Sequence, residues 1–310
     1  MLRFLKSGEA GIALALLILF AGLSWGSPEF LSADNLLTVA RQFSVYGIIA
    51  VGMTFVIVAG EIDLSVGSVL ALSACLSARL VVEHAWPLGG AMAAAIAAGA
   101  AAGWVNGALT VGLGIPSFII TLGMMSVVRG VTYVFTGAMP ISGLPDGYLF
   151  LGSGTLFGVT VPVVTMAVVA VAGGVILKFT SFGRAVYAVG GNLEAARLAG
   201  VATNRVRILC FTCLGALAAL AGMLTAGWVT VAQPVAGEGY ELDVIAAVII
   251  GGSSFSGGKG TVLGTMLGAT LMGVLRNGLI LLGVDVNWQK VAIGAVIVMA
   301  VMLDRLRRRI

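Results

Sequence analysis

Polar residues in this chain come in short clusters, and long apolar runs lie between them. Gly11 to Leu23, Arg41 to Ala59, Val66 to Val82, Pro87 to Leu113, Phe118 to Thr136 and Val159 to Phe179 form such runs in the first part. Ile208 to Val231, Gly260 to Leu282 and Trp288 to Leu303 follow in the second. A helix of roughly 20 apolar residues covers the hydrocarbon core of a bilayer, so these runs predict membrane-spanning helices. A further run, Val244 to Ile250, can barely span and is cut off by the glycine- and serine-rich stretch 251–260. Counting it, the pattern predicts an all-α polytopic bundle of about ten transmembrane helices.

Composition fixes the class without adding a domain. The chain has 310 residues, 59% of them hydrophobic and 10% charged, where a soluble domain carries roughly 25% charge. No polar block is long enough to fold separately, so residues 1–310 read as a single transmembrane domain. The net charge of +4 is no nucleic-acid signal, because the bases sit at the borders of apolar runs. Their placement sets the orientation. Lys178, Arg184, Arg197, Arg205 and Arg207 face one acid, Glu194, between two apolar runs, which places that loop in the cytoplasm. The segments 24–36 and 232–242 carry acids only and read as external. Arg3 and Lys6 precede the first run, and Asp304-Arg305-Leu306-Arg307-Arg308-Arg309 closes the chain, so both termini read as cytoplasmic. No small-x-small cleavage site follows the first run, which reads as an uncleaved span.

Chemistry of an enzyme is hard to assemble from these residues. Cys75, Cys210 and Cys213 all fall in apolar runs and read as packing residues. The one histidine, His84, ends a span beside Glu83 and Trp86 and reads as a surface residue. Gly258-Lys259 resembles a phosphate loop only in part: Ser253 stands for the first glycine, Gly260 for the hydroxyl residue, and no strand precedes it. No nucleotide, cofactor or metal is expected on this chain.

Polar residues inside apolar runs are the better signal. Gly60-Glu61-Ile62-Asp63-Leu64-Ser65-Val66-Gly67-Ser68 interrupts a run with two acids, and acids facing lipid cost several kcal/mol. The segment 60–67 reads either as a plain turn or as a broken helix beside a translocation path. The stretch 251–260 is interrupted in the same way. Val56 to Gly60 (VIVAG) resembles Val248 to Gly252 (VIIGG), and Gly67 to Leu70 (GSVL) resembles Gly260 to Leu263 (GTVL). On the span count the two copies run in one direction, and an inverted repeat would need one of the segments, 60–67 or 251–260, to be re-entrant. Candidate path residues are Asp63, Ser65, Asn106, Ser253 and Asn277. Asn106 also reads as a tie between helices, near Gly103 and Gly107, whose spacing lets backbones approach. Arg129, within a span, reads as snorkelling outward or pairing within the bundle.

In the basic loop, Asn192 is placed to cap a short helix and Gly200 to end it. Glu194-Ala195-Ala196-Arg197-Leu198-Ala199-Gly200 resembles the coupling loop of permease subunits in ATP-binding-cassette importers. The stretches IDLSVGSVLAL, PSFIITLGMMSVVRG, AVGGNLEAARLAGV, YELDVIAAVIIGG and the NGL, WQK and LDRLRRR ending are similar to the ribose- and xylose-type sugar permeases of that class, departing from the first signature at Glu61. The resemblance implies a permease subunit of a monosaccharide importer in a bacterial inner membrane, without ATPase activity of its own. Loop 180–207 would then be the coupling loop, with Glu194, Ala195, Ala196, Arg197 and Gly200 seated on a cytoplasmic ATPase, small side chains at Ala195 and Ala196 leaving clearance for that partner. It further implies a second permease subunit, identical or a paralogue, and an external sugar-binding protein. Permeases for branched-chain amino acids or nucleosides share this plan. An ion-coupled secondary transporter would need a mid-span acid opposite Arg129, and none is evident.

Overall fold

The computed structural model describes residues 8–307. Arg3, Lys6, Arg308 and Arg309 lie outside them. Helices α1 (Gly8–Gly26), α2 (Ala33–Val58), α3 (Val66–Val82), α4 (Leu88–Leu113) and α5 (Ser117–Thr136) come first. A short helix α6 (Asp146–Ser153) and a two-stranded pair, β1 (Thr155–Leu156) and β2 (Val159–Thr160), precede α7 (Val161–Phe179). Then come α8 (Ser181–Gly191), α9 (Leu193–Leu198), α10 (Thr203–Val229), α11 (Tyr240–Ile250), α12 (Val262–Leu281) and α13 (Val286–Arg307). Among the described residues, α2, α4, α5, α7, α10 and α12 are long and apolar enough to cross a membrane. The protein is an all-α polytopic bundle, apart from that small hairpin.

Helix α2 begins well before the apolar run that announced it. Ser32 accepts a hydrogen bond from Asn35 N and caps the helix. The amide of Asn35 is satisfied by Phe30 O and by Asn277 of α12, so polar residues are carried into the helix without loss. The segment between Gly137 and Gly158 contains α6 because Tyr148 is an anchor. Its ring is fully buried and its hydroxyl lies 2.6 Å from Ser77 Oγ on α3.

Helix α10 is the axis of the bundle, packed against α2, α3 and α4. Its seam with α4 is made by glycine. Gly99, Gly103 and Gly107 lie on Gly215, Phe211 and Ile208, and a Cβ at Gly103 would come within 2.1 Å of Phe211 O. The expected close-packing role of Gly103 and Gly107 is thus met. Gly264 and Gly268 of α12 meet Gly251 and Ala247 in the same way.

Two short helices, α3 and α11, each follow a long one after a non-helical break. Residues 59–65 separate α2 from α3, and residues 230–239 separate α10 from α11. Gly52 lies against Leu214 and Glu61 against Arg207, so α2 and α10 are antiparallel. Leu70 lies on Gly222, and Ala74 lines a small cavity with Thr225 and Ala226, so α3 runs with α10. Gly251 and Ala247 meet Gly264 and Gly268, while Thr54 and Phe43 meet Thr265 and Gly273, so α11 runs with α2. The pair α2–α3 is therefore repeated, upside down, by α10–α11. The two short helices start beside one another: a Cβ at Gly67 would lie 2.1 Å from Gly237 O. The sequence repeat joins different elements, the ends of α2 and α11, which run in one direction and lie side by side where Gly258 N donates to Val58 O at 2.8 Å.

Candidate functional site

The basic loop folds as a helix pair at one end of the bundle. Thr180 Oγ1 accepts from Gly183 N at 3.1 Å and starts α8. Asn192 Oδ1 accepts from Ala195 N at 2.9 Å and starts α9, which is six residues long. Gly200 ends it at φ +81°, where a β-branched residue would be strained. Glu194, Ala195, Arg197 and Gly200 are exposed, and Leu198 keeps 85% of its surface. Ala196 differs from the sequence expectation. It is 5% exposed and packs within this chain, so the clearance its small side chain provides is internal, not toward a partner. Tyr187 of α8 donates to Gly260 O at 2.6 Å, joining the loop to the start of α12, and burial raises its phenol pKa.

The break at 59–65 is tied to its surroundings almost residue by residue. Gly60 takes φ +83°, turning the chain out of α2. Ile62 N donates to Ser117 Oγ of α5 at 3.0 Å. Asp63 Oδ1 accepts from Ser65 N and Ser65 Oγ, both at 2.7 Å, and so shapes the entry to α3. Asn106 Nδ2 of α4 donates to Asp63 Oδ2 at 3.1 Å and to Ser65 Oγ at 2.9 Å. Asp63, Ser65 and Asn106 are all buried. Asn106 thus acts as the tie between elements that its position suggested. Its Oδ1, and Thr110 Oγ1 one turn further along α4, have no hydrogen-bond partner among the described residues.

The other two path candidates lie elsewhere. Ser253 is buried where the stretch 251–260 folds back over Val58 and Gly260. Asn277 exchanges amide hydrogen bonds with Asn35 at 2.7 and 3.1 Å, towards the opposite end of α12. The structure brings Asp63, Ser65 and Asn106 into one cluster and leaves Ser253 and Asn277 outside it.

Sequence reasoning missed two ion pairs. Arg207 at the start of α10 binds Glu61 Oε1 through Nε at 2.6 Å and Nη2 at 2.5 Å. Arg276 of α12 binds Asp243 Oδ2 of α11 at 2.8 Å and the Tyr46 hydroxyl of α2 at 2.9 Å. The Tyr46 ring lies 4.4 Å, centroid to centroid, from that of Tyr240. Tyr46, Asp243 and Arg276 line a small cavity with Gln42, Ala269 and Met272. An acid at Asp243, bordering the run Val244 to Ile250, and a base at Arg276, inside the run Gly260 to Leu282, were the available signal for the second pair. Arg129 resolves its two options by pairing inward: its guanidinium donates to Pro234 O and Ala236 O in the break before α11.

Long apolar helices packed around buried polar ties, with a capped surface helix at one end, define a multi-pass membrane protein. The family described as branched-chain amino acid transport system, permease component, matches residues 35–301, and the chain belongs to it. It is 44% identical to the ribose import permease protein RbsC of Escherichia coli strain K12 over 94% of this chain and 92% of that one. It is 45% identical to the RbsC of Bacillus subtilis strain 168 over 96% and 92%. The L-arabinose permease protein AraH of Azospirillum brasilense is 37% identical over 97% and 88%. No solved structure matches the chain.

Proposed function

We propose that this chain is the membrane-spanning subunit of an ATP-driven importer of a monosaccharide in a bacterial inner membrane. The observation that carries the reading is the full-length similarity to permeases named for ribose and L-arabinose. The wording of the family description favours a second reading, a branched-chain amino acid as cargo. Individual relatives weigh more than the family's name, because they match at up to 45% identity across nearly the whole chain.

On this reading α1–α5, α7 and α10–α13 are the spans, about ten in number, with α3 and α11 crossing only part of the bilayer. Both termini and loop 180–207 are cytoplasmic. Helix α9 docks on an ATP-binding-cassette ATPase through Leu193, Glu194, Arg197 and Leu198, with Ala195 beside them and Gly200 ending the helix. A second permease subunit completes the path, and an external binding protein delivers the sugar. The path runs along the breaks at 59–65 and 230–239, where two short helices begin inside the bundle, as broken helices do in other transporters. Asp63, Ser65 and Asn106 hold the shape of its inner limit. Alternating access then follows from rocking of α2–α3 against α10–α11.

The test is uptake by cells with and without this chain, using labelled ribose, arabinose, allose and leucine. Loss of uptake of a sugar alone supports the reading. Loss of leucine uptake with all sugars unchanged would replace it with the second. Reporter fusions at Asp146 and Glu238 should read as external and at Arg197 as internal.

A further inference from the structure

We propose that the Glu61–Arg207 ion pair is a strut that makes the break after α2 follow the basic loop, so that a push on α9 reaches the middle of the bundle. Glu61 and Arg207 are then positioning residues for transport. The proposal rests on the reading of loop 180–207 as the place where a partner ATPase delivers that push.

Arg207 stands in the second turn of α10, separated from α9 only by residues 199–202. Any displacement of α9 acts directly on this end of α10. Two guanidinium nitrogens converge on one carboxylate oxygen, at 2.6 and 2.5 Å. The Arg207 and Glu61 side chains are only 15% and 11% exposed, so water and salt screen the attraction weakly. Charge-assisted bonds of this kind hold their geometry better than neutral ones.

Glu61 in turn belongs to a segment with little freedom. Its own N–H donates to Val56 O, and its neighbour Ile62 is held by Ser117. Asp63, two residues on, is held by Asn106 and fixes Ser65 at the start of α3. That start faces Gly237 in the break before α11. A continuous tie therefore runs from α9 through Arg207, Glu61 and Asp63 to the place where both short helices begin. A second contact reinforces it: α8 ends on α2 so closely that a Cβ at Gly190 would come within 1.8 Å of Val58 O. The other interior pair, Asp243–Arg276, touches no residue of loop 180–207, so it offers no such route.

The experiment uses the whole complex in proteoliposomes: this chain, its ATPase and its binding protein, with labelled ribose, arabinose and allose supplied outside. The quantity read is sugar moved per ATP hydrolysed, in Glu61→Gln, Arg207→Gln and Arg207→Lys. In the two neutral variants ATP hydrolysis should continue while sugar per ATP falls about tenfold, a coupling loss of ordinary size. Arg207→Lys, which keeps the charge, should recover most of it. A purely structural role would lower the amount of complex without changing sugar per ATP. An unchanged ratio in both neutral variants therefore overturns the strut, whatever happens to abundance. If the neutral variants do not accumulate, Glu61→Asp takes their place. It draws the carboxylate back by one methylene, so it should lower the ratio measurably, and a parental ratio overturns the proposal. Failure of the parent complex to move any of the sugars on ATP overturns both this inference and the proposed function. Failure confined to the variants' expected effect overturns the strut alone.

Discussion

Glu61–Arg207 and Asp243–Arg276 are alike in chemistry and differ in what they join. The first links a non-helical segment to the start of α10, beside the basic loop. The second links the short helix α11 to α12 and, through the Tyr46 hydroxyl, to α2. A charge inside an apolar bundle has to be paired wherever it lies, so burial alone does not separate the two. Their attachments do. Three regular helices depend on Asp243 and Arg276 for their relative placement, which makes that pair part of the fold. Glu61 and Arg207 join a break to the first turns of α10 beside the surface loop, which on the proposed coupling makes theirs a joint between parts that move.

The comparison breaks first at Asp243. Asp243→Leu leaves Arg276 without its acid and should cost about 3 kcal/mol, the low end for a broken buried pair because Arg276 keeps a third of its side-chain exposure. A lowered melting temperature in detergent and reduced membrane abundance are the expected results. The double change Asp243→Leu with Arg276→Met should recover most of the loss, since no unpaired charge remains. If the single change leaves melting at the parental value, the pair is not a fold element and the contrast fails.

A smaller effect is expected at the break itself. Asp63→Ala removes the acceptor for Ser65 N, Ser65 Oγ and Asn106 Nδ2, and unsatisfied buried donors cost about 1–3 kcal/mol. Because these bonds shape only the entry to α3, uptake should fall more steeply than abundance. Equal losses in both would assign Asp63 to the fold rather than to the moving joint.

The smallest effect sharpens the contrast from outside the bundle. Asn192→Ala removes the cap of α9 and should cost about 1 kcal/mol, nearly all of it local. Melting of the bundle should stay within error of the parent, while capture of the ATPase on the purified permease weakens. Unaltered capture would mean that α9 is not the docking element.

Much of the fold was legible because lipid imposes a simple rule on sequence. Apolar runs located every long helix, and the short runs at 66–82 and 244–250 became α3 and α11. Boundaries drifted where a polar residue enters a helix with local partners, as Asn35 does at the start of α2. In the basic loop, the Asn192 cap and the Gly200 stop could be read directly, since both act within a few residues. The direction in which Ala196 faces could not, because a six-residue helix shows no periodicity. The ion pairs stayed hidden for a related reason: Glu61 and Arg207 are 146 residues apart, and only the packing of α2 on α10 joins them. The relation of α2–α3 to α10–α11 left no trace in residue identity. It rests on helix direction and length, which many apolar sequences satisfy equally.

On the proposed function, transport through this chain is driven by ATP hydrolysed on a partner and not by an ion gradient. The most direct measurement is accumulation of labelled ribose, arabinose and allose in proteoliposomes, with this chain reconstituted alone or with its ATPase and binding protein. One of these sugars should accumulate in the full assembly only, dependent on ATP and unaffected when proton and sodium gradients are collapsed. Accumulation by the chain alone, driven by either gradient, would contradict the proposed function.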